Sequence, residues 1–134
     1  MTTALGKNLQ AVAASAAGRQ GVVWTLEGRG DLNANLVRFG SGRGVGEHVN
    51  DEVDVVFVGV SGSGTVVVDG EKFALEPGRL VFAPKGCPRA TRSTSGEFAY
   101  LTVHRRRGPV RLDPRGGRGD DIGERGITER RSSA

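Results

Sequence analysis

The sequence predicts an all-β fold, a sandwich or closed barrel, and three observations carry that reading. Short runs of β-branched and aromatic residues recur from residue 21 onward, glycine reaches 22 of 134 residues, and turn signals separate the runs at close spacing. Such a glycine content, without a collagen-like period, suits tight turns between short strands. A chain of 134 residues fits one domain, and folding at that size removes roughly two-thirds of the unfolded surface from water. Hydrophobic residues make up 37% of the chain, which excludes a wholly disordered protein. No apolar stretch approaches the length of a membrane span.

Residues 1–20 read as an N-terminal arm or short helix, its helical part Leu9–Ala17. This alanine-rich stretch only superficially resembles an export signal, because Lys7, Asn8 and Gln10 interrupt it and no continuous strongly apolar run follows a basic start. Cys87 is the single cysteine, so no intrachain disulfide can form, and a reducing cytoplasm is the expected location.

The barrel is expected over residues 21–104. Its strands are Val22–Leu26, Leu32–Phe39, Val53–Val60, Thr65–Val68, Lys72–Leu75, Leu80–Ala83, Arg89–Thr94 and Phe98–His104. Asp69-Gly70 between the fourth and fifth is a type I′ hairpin signal. Pro77-Gly78, Pro84-Lys85-Gly86 and Ser95-Gly96 punctuate the later ones. Val53–Val60 is apolar on both faces and needs cover on both, which predicts a second copy of the chain, a homodimer.

Residues 105–134 form a charged Gly/Arg-rich tail with few apolar residues, expected to be irregular and solvated. The formal charge is +4, yet residues 1–104 carry 10 basic and 10 acidic side chains, so the excess lies wholly in the tail, with 9 against 5. Nucleic acid is therefore not an expected partner of the body, and a tail contact with RNA or an acidic protein is a lesser alternative. The glycine-rich stretch 40–46 lacks the Gly-Lys-Ser/Thr ending and helix that a phosphate loop needs, and reads as a turn. Trp24 and the five phenylalanines fall in or beside apolar strands, where core packing is expected of them.

Two motif frames carry a family resemblance. Gly78, five residues, Pro84, Lys85, Gly86, two residues and Arg89 reproduce one; Gly42, His48, Asn50, Val55 and Gly62 reproduce the spacing of the other. The stretch resembles the cupin family, whose motifs are usually G-x5-H-x-H-x3–4-E-x6-G and G-x5-P-x-G-x2-H-x3-N. The resemblance implies a jelly-roll barrel. It also implies a divalent metal held by two His and a Glu of the first motif and a His of the second. Those four positions hold His48, Asn50, Val55 and Arg89 here, so only one ligand is retained, and Arg89 places a permanent cation among them. No cofactor is expected. A rearranged site would be built on His48 with carboxylates from Glu47, Asp51, Glu52 or Asp54, although strand alternation turns part of that set outward.

The expected ligand-binding set is His48, Asn50, Phe57, Arg89, Thr91 and Tyr100, with Val55, Ser93 and either Phe82 or Tyr100 completing the wall. A guanidinium inside an apolar cavity selects carboxylate or phosphate, so the leading reading is a small-molecule-binding protein for an organic anion held between Arg89 and His48. The alternative is an enzyme of the same family, either a metal-free isomerase or epimerase with His48 as general acid or base, or a rearranged-metal oxygenase; Tyr100 or His104 would supply a second proton-transfer group. The structural alternative pairs Arg89 with Glu52 or Asp54, leaves His48 an ordinary interior histidine, and gives Asn50 a turn. Cys87 is expected to be inert.

Overall fold

The computed structural model describes residues 4–26 and 30–106. The predicted tail beyond residue 106 lies outside the described residues. A helix, α1 (Leu9–Ser15), precedes eight strands: β1 (Gly21–Thr25), β2 (Leu32–Gly40), β3 (Val55–Ser61), β4 (Gly64–Val68), β5 (Glu71–Leu75), β6 (Leu80–Ala83), β7 (Arg89–Ser93) and β8 (Glu97–Arg105). They form two antiparallel sheets, one ordered β1-β2-β8-β3-β6 and one ordered β5-β4-β7. The β4–β5 turn adopts the expected conformation, with φ of 51° at Asp69 and 83° at Gly70.

Strand alternation divides the apolar residues between two clusters. Val37, Phe39, Val55, Phe57, Val66, Leu75, Val81, Phe98 and Tyr100 fill the space between the sheets. Leu36, Val60 and Ala99, from the opposite faces of β2, β3 and β8, pack instead with Ala13 of α1. Gln10 ties the helix down by donating to the Val60 carbonyl at 3.1 Å. Part of the second cover for β3 therefore comes from the chain's own helix. The β6 end of the same face remains open, with Leu80 and Phe82 exposed. That position corrects the expectation for Phe82: on β6 it is Val81 and Ala83 that turn inward. Strand β3 also begins two residues later than expected, at Val55.

The barrel interior is built in layers, and their register matters for the site. The Thr91 hydroxyl of β7 meets the Tyr100 hydroxyl of β8 at 2.9 Å, joining the two sheets at one level. Gly64, paired with Ser93, lies beneath the Phe98 ring, where a Cβ would overlap it. One layer therefore holds Gly64, Ser93 and Phe98, the next Val66, Thr91 and Tyr100, and the next Val68, Arg89 and Thr102. Across β8, Thr102 pairs with Asn35 and Phe57, and His104 with Asn33 and Val55.

Burial in this core pushes the Tyr100 phenol well above its ordinary value of 10.0, and the Thr91 bond offsets that only in part. The folded state thus retains a proton that the unfolded state releases, so stability is full below pH 10 and declines as pH rises above it. Replacing Tyr100 with Phe is expected to flatten this alkaline decline by up to about 1.4 kcal/mol per pH unit. Urea denaturation at several pH values above 9 checks it.

Candidate functional site

The segment leading to the site runs beside β7 as an added strand. Ser93 donates its amide to the Arg43 carbonyl, Thr91 to Val45, and His48 and Arg89 exchange both backbone bonds, at 3.0 and 2.9 Å. Directly opposed residues of an antiparallel pair share a face, so the His48 and Arg89 side chains lie on the same side.

Arg89 is only 1% exposed. Its Nε donates to the Cys87 carbonyl at 2.9 Å and its Nη2 to the Pro84 carbonyl at 2.7 Å. Pro84, Gly86 and Cys87 form the turn before β7, so the motif's turn folds back to hold the side edge of the guanidinium. Its Nη1 is buried without a hydrogen-bond partner among the described residues. Among the described residues no ion pair joins Arg89 to Glu52 or Asp54, the partners the structural alternative named; Arg38, a buried arginine of the five-stranded sheet, does pair, 3.0 Å from Glu97 of the same sheet. Asp54 accepts from the Lys85 amide instead. Burial lowers the Arg89 pKa from its ordinary value, opposed by the fields of Cys87, Asp54 and Asp51. The cation therefore sits with two neutral carbonyls on one edge, while on the end-on fork Nη1 has no hydrogen-bond partner among the described residues.

The other expected residues divide by what already occupies their polar atoms. His48 is half-buried, and its Nδ1 donates to the Gly46 carbonyl at 3.0 Å, since a carbonyl can only accept. Asn50 is buried, but its Oδ1 accepts from the amides of Glu52 and Val53 at 2.9 and 3.2 Å. It closes the turn that delays the start of β3. Thr91 and Tyr100 hold each other, and Thr91 also accepts from the Val45 amide at 3.2 Å. Phe57 is 1% exposed and stands with Tyr100, ring centroids 5.8 Å apart. Ser93 bonds the Ser95 carbonyl at 2.8 Å. His104 is buried, with Nδ1 donating to the Arg105 carbonyl at 2.9 Å.

Thr102, on the inward face of β8, was not among the expected residues. It is fully buried, and its hydroxyl has no hydrogen-bond partner among the described residues. The signal was present in the alternation of β8, where a Thr falls between inward Tyr100 and inward His104.

These residues do not fit a four-ligand metal centre. Val55 turns its methyls inward at 0% exposure, the Asn50 oxygen is spent on two amides, and Arg89 is a buried cation. Among the described residues no three His, Cys, Asp or Glu side chains gather at ligating distance.

A family model described as a cupin domain matches residues 35–104. No curated protein matches the chain at a significant level. Among solved structures, KdgF from a Halomonas species is 24% identical, with a TM-score of 0.59 over 63% of this chain and 77% of that one. The TT1209 protein from Thermus thermophilus is 25% identical, with a TM-score of 0.58 over 67% and 84%. A cupin protein from Bacteroides fragilis is 19% identical, with a TM-score of 0.54 over 66% and 76%. Such likenesses speak for the jelly-roll fold and leave the site to be read from its own residues. Among the described residues no helix is long and apolar enough to cross a membrane.

Proposed function

We propose that this chain, which belongs to the cupin domain family, binds a small organic anion inside its barrel, on Arg89, without the family's four-ligand metal. One observation carries the reading: a guanidinium that is 1% exposed, makes no ion pair among the described residues, and has a buried Nη1 without a partner. Charged side chains are seldom buried unpaired, and a carboxylate fits the unused fork in a bidentate manner. His48, on the same face, adds a second polar wall, and Val55 and Phe57 add apolar ones.

The test is thermal unfolding of the purified wild-type protein with carboxylates of two to six carbons, each set against its neutral amide. A carboxylate at about 100 times its Kd is expected to stabilise the fold by about 2.7 kcal/mol, a rise of several degrees in Tm. Amides should give no comparable rise. Equal shifts from acid and amide, no shift from any acid, or near-stoichiometric metal in dialysed protein would each contradict the reading.

The shared face of His48 and Arg89 also favours a second reading, in which His48 moves a proton beside a bound carboxylate. Exchange of carbon-bound hydrogen for deuterium in the bound acid, followed by NMR, distinguishes enzyme from binder. A homodimer belongs to the same proposal, supported by the exposed Leu80 and Phe82 at the open end of the outer face. A monomeric mass by light scattering at micromolar concentration would remove it.

A further inference from the structure

We propose that Thr102 is a second binding residue of the Arg89 site, and that the anion it selects is a short carboxylate carrying a hydroxyl or keto oxygen. The inference rests on the anion-binding reading above and narrows it to a ligand class. Two buried side-chain polar atoms among the described residues lack a hydrogen-bond partner, Arg89 Nη1 and Thr102 Oγ1. They come from opposite sheets. The Thr91–Tyr100 bond and the seat of Phe98 over Gly64 fix the register between those sheets, and two residues further along each strand lie Arg89 and Thr102.

Native interiors leave few polar groups unpaired, and two inside one barrel, on residues that follow the Thr91–Tyr100 contact by two positions on each strand, point to a common partner. The neighbours of Thr102 give it none. Phe57 is apolar, and the Asn35 Oδ1 accepts from the Thr25 hydroxyl at 2.8 Å. In the adjoining layer Thr91 and Tyr100 satisfy each other, which makes that pair a floor to the site. Asn35, which pairs with Thr102, and Asn33, one row further on, are half-buried, as is His48. Arg89 demands a negative charge in an end-on fork. The Thr102 hydroxyl both donates and accepts, so it pairs with an alcohol or a ketone and gains nothing from a methyl group.

The experiment compares lactate with propionate, and 3-hydroxybutyrate with butyrate, by NMR titration of wild-type, Thr102→Val and Thr102→Ser proteins. The wild type is expected to prefer the oxygenated member of at least one pair roughly tenfold. Thr102→Val should abolish that preference, and Thr102→Ser should retain it. Valine keeps the shape of threonine and removes only the unpaired hydroxyl, so the variant is expected to fold and to melt no lower than wild type. Acids that bind with no oxygenated preference, or a preference that survives Thr102→Val, would overturn the role of Thr102 and leave the anion-binding reading standing. If none of the acids binds, both fall.

Discussion

Replacing Arg89 with Met is expected to weaken carboxylate binding about 100-fold while leaving a folded barrel. A hydrogen bond to a charged group contributes about 1.5–3 kcal/mol, and the end-on fork offers two. Methionine follows the same apolar stem, so the buried volume is largely kept. Two opposing effects act on stability. The Cys87 and Pro84 carbonyls lose their donors, while the burial that lowers the Arg89 pKa is no longer imposed on a cation. Arg89→Lys separates charge from geometry: lysine supplies a point charge without the fork, and an intermediate loss of about tenfold is expected. Calorimetric titration with the tightest acid of the panel measures both. Unchanged affinity in Arg89→Met would show that the anion sits elsewhere.

A large loss of stability close to the site is expected from Gly44→Ala. A Cβ on Gly44 would overlap the Thr91 carbonyl and the Arg92 backbone, which cannot swing aside as a side chain would. The neighbouring Val45 is bonded to Thr91 in both directions, through its carbonyl and its amide. Separation of this edge carries His48 away from Arg89. We expect a loss of about 3 kcal/mol, at the upper end for overpacking, together with weakened acid binding. Gly46→Ala is the control: a Cβ there meets nothing within 4 Å, and its effect should stay within about 0.5 kcal/mol. Urea denaturation of both variants checks the contrast; equal stabilities would refute the tight packing of the His48 segment against β7.

Most of the fold was legible because the sequence states it locally. Alternating apolar residues and Asp-Gly or Pro-Gly turns mark where strands start and stop, and all eight appear within a few residues of their expected ends. Motif spacing grouped Arg89 with His48 as pocket positions, but their direct backbone pairing joins distant segments and emerged only with the fold. Other contacts between distant segments were no more legible. Nothing near Val60 in sequence announces that Ala13 will cover it, and nothing near Phe82 shows that β6 lies at a sheet edge with that face open. The partners of Arg89 are backbone carbonyls, which every residue possesses, so the sequence offered Glu52 or Asp54 as the alternative partners and gave no sign of these. Thr102 escaped notice for a related reason. Its importance lies in lacking a partner, a property that exists only once both sheets are assembled.

The most direct measurement is side-chain NMR of protein labelled with nitrogen-15 arginine, the Arg89 signals assigned by their loss in Arg89→Met. On saturation with the tightest acid, the Nη signals should shift and slow their exchange with water, while Nε, already bound to the Cys87 carbonyl, stays in place. Nη signals indifferent to every acid, or a guanidinium exchanging as fast as one in bulk water, would contradict the account.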